Sequence, residues 1–181
     1  MNGRDPFDAP VITSRVCGVC PVPHSIASVL AVDDALGAQV PENGRLLRNI
    51  ALASNFIWSH ILHFYTLTIQ DYAAGPDMAP WRPVSNGDIR FNDAENQVLC
   101  DHYVQALEMI RKANELCAIF AGKSPHSSAI VPGGFTGVPT NNDISDALAL
   151  ARELNNFISN LYTADAQLLA ERYSDYFEIG Q

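Results

Sequence analysis

The sequence predicts an all-α protein. Apolar residues recur at helical spacing in four segments, stretches rich in Gly and Pro separate these segments, and the alternating pattern of strands is nearly absent. The predicted helices cover about residues 24–37, 42–73, 92–121 and 142–173, so the expected architecture is a bundle of three long helices and one short helix. A chain of 181 residues that is 48% hydrophobic can bury one sizeable core, and we expect a single domain over residues 1–181.

The first two predicted helices differ in their surroundings. The short helix has apolar residues at helical spacing, which are Ile26, Val29, Leu30 and Leu36. Gly37 ends the pattern. In the second, NFIWSHILHFYTLTIQ is apolar on nearly every side, which predicts a helix buried all round. Asp33 and Asp34 fall on the short helix, where we expect a solvated face.

The other two helices have predicted starting points. Asn92 with Glu95, and Thr140 with Asp143, have the spacing of N-cap pairs. Gly/Pro-rich loops over residues 73–88 and 122–141 precede these starts. Cys117 lies on the apolar stripe of the third helix, which ends before Gly122; for Cys117 and Cys100 we expect a core role.

Charge and composition exclude several classes of protein. The formal net charge is −9 with only eleven Lys and Arg residues, whereas a nucleic-acid binder needs a basic surface. The N-terminal residues MNGRDPFDAP lack the features of a secretory signal, and no apolar run reaches about 18 residues. Four cysteines are too few for a disulfide scaffold. We therefore expect reduced thiols, no transmembrane segment and a cytoplasmic location.

The segment RVCGVCPVPH, residues 15–24, has three chemical interpretations. Two cysteines at this spacing can form half of a zinc site. They can also form a dithiol redox pair, although that motif normally follows a strand. Finally, they can bind a catalytic transition metal through soft thiolates, with Arg15 and His24 as neighbouring groups that tune the sulfurs or carry protons. The spacing alone leaves these alternatives open.

A longer run of residues carries a resemblance to a known family. The pattern Arg-x-Cys-Gly-x-Cys-x-x-x-His, followed by Asp-Ala-Leu-Gly at 34–37, resembles the first cysteine motif of nickel-iron hydrogenase large subunits. The resemblance continues through SHILHFYTL at 59–67, GKSPHSSAIVPGG at 122–134 and YSDYFEIG at 173–180. It implies that the chain is a portion of a large subunit and part of a larger fold.

The resemblance also implies a cofactor and roles for individual residues. Cys17 would be a terminal nickel ligand, and Cys20 would bridge nickel to an iron that carries cyanide and carbon monoxide. His24 would lie near the bridging thiolate, and Arg15 would orient the loop and balance the thiolate charge. The implied activity is reversible oxidation of H2, which is an oxidoreductase reaction.

Three further histidines match the resemblance. His60 and His63 fall three apart on the second helix, and His126 belongs to the segment SPHSSAIVPGG. His60 and His63 could share a face and relay protons, but a buried, hydrogen-bonded histidine is the commoner case. His126 would lie near the contact with a small subunit or near the active site. For His102 we expect only a solvated helix face.

The family pattern needs four cysteines, and this sequence contains only the first pair. The expected partners are a chain that supplies the missing N- and C-terminal parts with the second pair, and a small subunit with iron-sulfur clusters. Two rival functions stay open: a non-catalytic assembly or scaffold fragment, and a dithiol redox protein that uses Cys17 and Cys20.

Overall fold

A computed structural model describes residues 1–84 and 87–180 of the chain. Helices account for nearly all of its regular structure, so the all-α prediction is confirmed. The α-helices are α1 (Ala9–Ser14), α2 (Pro21–Leu36), α3 (Glu42–Leu62), α4 (Asp93–Ala121), α5 (Asn141–Phe157) and α6 (Thr163–Arg172). None of the helices in the described residues is long and apolar enough to cross a membrane.

Short elements interrupt or extend the long helices. α3 runs directly into a π-helical turn at His63–Thr68 and a 3-10 turn at Ile69–Asp71. A second π-helical turn at Ile158–Tyr162 separates α5 from α6, where the sequence predicted one continuous helix. Two further 3-10 helices lie at Pro6–Asp8 and Ser174–Glu178.

The only extended pairing in the described residues is a minimal hairpin. Strand β1 (Ile130–Val131) pairs antiparallel with β2 (Gly134–Phe135), and Ile130 lies opposite Phe135. The turn between them contains Gly133 with a φ of 79°, a left-handed conformation that favours glycine. This hairpin occupies the segment whose sequence ends in Pro-Gly-Gly.

The predicted helix boundaries have the expected capping chemistry. At the start of α4, the Glu95 amide donates to Asn92 Oδ1 at 3.0 Å and the Asn92 amide donates to Glu95 Oε2 at 2.9 Å. Before α5, the Asp143 amide donates to Thr140 Oγ1 at 3.2 Å, and the Thr140 amide donates to Asp143 Oδ2 at 2.7 Å. Both predicted N-cap pairs are therefore confirmed.

The chain divides into two compact units. The first contains residues 1–59 and 111–152, and its apolar core includes Val22, Val29, Ala51, Cys117, Ala121 and Ile130. The second contains residues 60–110 and 153–181, and Tyr65 lies fully buried within it. Phe64, Phe157 and Tyr162 surround the Tyr65 ring, with centroid separations of 4.9 to 6.0 Å.

A buried ion pair in the first unit fixes the hairpin. Arg48 on α3 donates to Asp33 Oδ2 at 2.7 Å, and it also donates to the carbonyls of Gly134 and Val131 at 3.0 and 2.6 Å. Asp33 accepts a further bond of 2.6 Å from the Gly133 amide. The expectation of a solvated Asp33 was therefore wrong, because its carboxylate has an arginine and a backbone donor as buried partners.

The expectation that the second helix is buried all round was also wrong. Phe56 is 64% exposed, and both His60 and His63 are exposed. Buried and exposed apolar residues thus occupy different faces of α3.

Candidate metal centre

Cys17, Cys20 and His24 form a compact group of metal-ligating side chains in the first unit. One possible ligand atom from each residue lies within 4.8 Å of the other two, and all three residues are half-buried. Cys20 caps the N-terminus of α2, and His24 lies one helical turn further on, so both side chains project from the same side of the helix. The structure therefore brings together both predicted thiol ligands and the motif histidine.

Hydrogen bonds within the cysteine turn give the two thiols different pKa values. The Cys20 backbone amide donates to Cys17 Sγ at 3.1 Å. The hydrogen bond between the two thiols, and then this amide, lower the pKa of Cys17 below its usual value. The same thiol contact raises the pKa of Cys20, and desolvation adds to that effect. In the metal-free turn, Cys17 is therefore the sulfur that ionises first, and thiolates are the metal-binding form of cysteine.

The cysteine turn lies between α1 and α2, which are packed together. Thr13 Oγ1 lies 2.7 Å from Ser28 Oγ and also donates to the Ala9 carbonyl at 2.8 Å. Ser25, which is buried, donates to the Pro10 carbonyl at 3.4 Å. These small polar side chains hold α1 against the first half of α2. The cysteine turn connects the two helices.

A side chain from α3 also holds the turn. Asn55 is 1% exposed, and its Nδ2 donates to the Val19 carbonyl at 3.2 Å. Val19 lies between the glycine and the second cysteine of the motif. Asn55 was not among the predicted site residues, because its only signal in the sequence is that it is a polar residue inside a strongly apolar helix.

The donor set fits a soft transition metal. Two thiolates and an imidazole are donors that zinc, nickel and copper accept. Three donors from one turn and one helix leave further coordination positions for ligands from outside this turn. The segment before the motif is helix α1 rather than a strand, so the usual structural context of a dithiol redox motif is missing from these residues.

Arg15 and His126, which the sequence analysis singled out separately, line one cavity of about 260 Å³. Lys123 and the hydroxyl-bearing Ser14 and Ser127 contribute to the same cavity. His126 Nδ1 is buried and has no hydrogen-bond partner among the described residues. The cavity therefore combines three basic side chains next to the helix that leads into the cysteine turn.

His60 and His63 do not belong to the group around Cys17 in the described structure. Both lie in the second unit, and His63 Nδ1 is 3.3 Å from Thr68 Oγ1. Their expected burial was wrong, because the end of α3 and the start of the π-helical turn present these two positions to the exterior of that unit.

A second group of titratable residues escaped the sequence analysis. Asp165 on α6 is 4% exposed, and its Oδ2 accepts from the Tyr65 hydroxyl at 2.6 Å and lies 2.7 Å from His102 Nδ1. His102 is therefore a partner of a buried carboxylate and is not a simple surface residue. No local pattern reveals this contact, because the three residues lie on three separate helical segments.

Comparison with known proteins identifies similar chains over the whole length. The family profile of the nickel-dependent hydrogenases matches residues 1–79 and 79–181. The periplasmic [NiFeSe] hydrogenase large subunit of Desulfomicrobium baculatum is 40% identical over a gapped alignment of 189 positions that covers 99% of this chain and 37% of that protein. The Hydrogenase-2 large chain of Escherichia coli K12 is 30% identical over a gapped alignment of 234 positions that covers 100% of this chain and 41% of that protein.

Solved structures give the same result. The Ni-Fe-Se hydrogenase of D. vulgaris Hildenborough in its as-isolated oxidised state superposes with a TM-score of 0.95 and 43% identity. That match covers 99% of this chain and 37% of the solved chain. The chain thus spans less than half the length of the relatives to which it is similar.

Proposed function

The chain belongs to the nickel-dependent hydrogenase family, as its cysteine motif predicted, and from this premise we propose that it holds half of a nickel-iron centre for reversible H2 oxidation. Cys17 and Cys20 would supply two of the thiolate ligands. The observation that carries the proposal is the convergence of Cys17, Cys20 and His24 on one point, in a chain whose fold matches a solved hydrogenase. The second pair of thiolates would come from polypeptide outside this sequence.

The bound centre would supply the electron-rich metal site at which H2 is split into a proton and a hydride equivalent. In this proposal the thiolates of Cys17 and Cys20 would hold the nickel-iron centre. The Cys20 amide that donates to Cys17 Sγ partly neutralises the charge on that sulfur. His24 presents an imidazole nitrogen to the same pair and would hold or pass a proton next to the two sulfurs.

Arg15 and His126 would act at the edge of the site. Both line the basic cavity that adjoins α1, and Arg15 precedes Cys17 by two residues in the sequence. By the family resemblance, this face is also where we place the contact with an iron-sulfur small subunit that would carry the electrons away. His126 Nδ1 is buried without a hydrogen-bond partner among the described residues. Because buried polar atoms normally have a partner, this supports a hydrogen-bonding group that comes from outside the chain.

Exposed apolar side chains support the need for additional polypeptide. One face of α3 carries a shallow cavity of about 350 Å³, which is lined by Asn49, Leu52, Ala53, Phe56 and Ile57. Phe56 alone exposes 64% of its surface. Contiguous apolar surface of this kind marks a protein contact. We propose that the remaining part of the large-subunit fold covers this face.

We also propose that the assembly is cytoplasmic, because the chain has few cysteines and all of them are free thiols.

Metal analysis of the assembled complex tests the proposal. The chain is co-expressed with candidate partner chains, purified, and its nickel and iron are measured together with H2 oxidation. Cys20→Ser is expected to remove nickel and activity, because one of the two thiolate ligands is lost. Cys100→Ser is the matched control, since Cys100 is also a half-buried free thiol but does not belong to the metal-ligating group.

The outcomes separate the competing functions. Stoichiometric nickel that depends on Cys20 and not on Cys100 supports the hydrogenase function. A stable complex without nickel overturns it and favours a scaffold. A reversible disulfide between Cys17 and Cys20 in a nickel-free protein overturns it in favour of dithiol redox chemistry.

A further inference from the structure

Asn55 is unusual among the side chains of α3 because it is polar, fully buried and directed at the cysteine turn. It is 1% exposed, and its Nδ2 donates to the Val19 carbonyl at 3.2 Å. In the described part of the chain, no other side chain from a segment remote in sequence hydrogen-bonds to residues 17–20. The turn itself is open to the exterior, since Val16, Gly18 and Val19 are all exposed.

The peptide group between Val19 and Cys20 takes part in two hydrogen bonds, one with Asn55 and one with Cys17. The Val19 carbonyl and the Cys20 amide are the two polar ends of one peptide unit. Because that unit is planar and trans, its oxygen and its hydrogen point in opposite directions. Asn55 holds the oxygen, and the hydrogen on the other side points at Cys17 Sγ, 3.1 Å from the Cys20 nitrogen.

Rotation of this peptide would break both bonds together. A buried amide that loses its acceptor costs free energy, so the Asn55 side chain opposes any rotation that moves the Val19 carbonyl away. The chain of bonds from the Asn55 amide through the peptide to sulfur also polarises each donor in turn, which strengthens the final contact.

We propose that Asn55 is a positioning residue for the Cys17 sulfur: by fixing the Val19–Cys20 peptide, it aims the Cys20 amide at Cys17 Sγ and sets how strongly this sulfur donates to a bound metal. The effect on the metal rests on the proposed hydrogenase function. The effect on the peptide does not, because both hydrogen bonds are present in the chain itself.

Two substitutions remove the donor in different ways. Asn55→Leu replaces the amide with an apolar side chain of similar size, and Asn55→Asp keeps the shape but presents an oxygen to the Val19 carbonyl. Ser54→Ala is the matched control, because Ser54 is equally buried on the same helix. Among the described residues, its hydroxyl bonds only to the Ile50 carbonyl, at 2.8 Å. A general loss of packing in α3 would affect the control as well.

Hydrogen exchange in the metal-free full chain tests the peptide geometry. With Asn55→Leu, the Cys20 amide is expected to exchange roughly tenfold faster than in the wild type, which corresponds to about 1.4 kcal/mol. Ser54→Ala is expected to leave this rate unchanged. If Asn55→Leu does not fold, Asn55→Asp is measured in its place. Equal exchange rates at Cys20 in the wild type and in the folded variant overturn the proposal.

A redox titration of the assembled complex tests the effect on the metal. An amide that donates to a thiolate withdraws electron density, so its loss makes the sulfur a stronger donor and stabilises oxidised nickel. The midpoint potential of nickel is expected to fall in Asn55→Leu and to stay constant in Ser54→Ala. An unchanged potential with full nickel content contradicts the tuning role. A wild-type complex without nickel contradicts the hydrogenase function instead, and the exchange rates still decide the positioning role.

Discussion

The Tyr65 hydroxyl donates to the Asp165 carboxylate across 2.6 Å, although the two residues are a hundred positions apart in the sequence. Both side chains are buried in the second unit, and His102 Nδ1 contacts the same carboxylate oxygen at 2.7 Å. Burial and the carboxylate raise the pKa of the Tyr65 hydroxyl far above its usual value, so this group remains a proton donor throughout the working pH range. The carboxylate links the π-helical turn after α3 to α4 and α6 within this unit.

Tyr65→Phe tests the stability that this contact provides. The substitution keeps the ring in its aromatic cluster and removes one donor from a buried carboxylate. Because hydrogen bonds to charged groups contribute about 1.5–3 kcal/mol, we expect a loss of that size in the free energy of unfolding. Urea denaturation monitored by circular dichroism measures the change. Tyr162→Phe is the control, since Tyr162 belongs to the same ring cluster but makes no hydrogen bond to Asp165 in the described part of the chain; an equal loss in both variants would contradict our explanation.

The ion pair between Arg48 and Asp33 predicts strong coupling in a double-mutant cycle. Both side chains are more than nine-tenths buried, so Arg48→Met leaves an uncompensated carboxylate and is expected to cost about 3–5 kcal/mol of unfolding free energy. Asp33→Leu combined with Arg48→Met removes both charges and is expected to recover part of this loss. Chemical denaturation of the single and double variants measures the coupling.

Hydrogen exchange in the hairpin tests the same ion pair locally. Arg48 and Asp33 together bond to the backbone of Val131, Gly133 and Gly134, so amides of residues 130–135 are expected to exchange faster in Arg48→Met. Glu42→Ala is the control, because its pair with Arg45 is exposed and should matter little. Unchanged exchange in the hairpin would show that the ion pair is not what holds it.

The cysteine pair predicts an order of thiol reactivity. The pKa of Cys17 is lowered and that of Cys20 is raised, so as the pH increases Cys17 becomes the nucleophilic thiolate first. Alkylation of the metal-free chain with iodoacetamide over a pH series, with the sites read by mass spectrometry, is expected to give a lower midpoint for Cys17. Cys100 serves as the internal reference, since burial raises its pKa. Coinciding midpoints for Cys17 and Cys20 would contradict the asymmetry that the hydrogen bonds create.

Local chemistry accounts for the parts of this structure that the sequence predicted correctly. Gly37 adopts the left-handed conformation at the end of α2, and Asn92 with Glu95 caps α4, because each feature depends on residues only a few positions apart. The convergence of Cys17, Cys20 and His24 was similarly predictable, since one turn and the start of one helix position all three.

The missed features depend on contacts between distant segments. The burial of Asp33 requires Arg48 and the hairpin, and the role of His102 requires a carboxylate 63 positions away. The two π-helical turns interrupt apolar patterns that look continuous, because a π turn adds a residue without changing the composition. Such features become visible only when the segments are placed in three dimensions.

Gly75 and Trp81 pack closely together in the loop that precedes α4. A Cβ atom added to Gly75 would lie 2.1 Å from the Trp81 ring, far closer than any tolerated contact. Trp81 is 5% exposed and packs edge-on against Tyr103 with a centroid separation of 5.5 Å. Gly75→Ala must therefore displace the indole, and we expect a loss of about 1–3 kcal/mol in the free energy of unfolding.

Tryptophan fluorescence measures this displacement directly. In a Trp58→Phe background, Trp81 is the remaining tryptophan, and its emission is expected to shift to longer wavelength in Gly75→Ala as the ring becomes hydrated. Gly87→Ala is the matched control on the same loop, because an added Cβ there meets no atom within 4 Å. Since Gly75 has an ordinary negative φ, the effect must come from the collision with the indole and not from backbone strain. An unshifted spectrum in Gly75→Ala would mean that the loop moves away as a whole and keeps Trp81 buried.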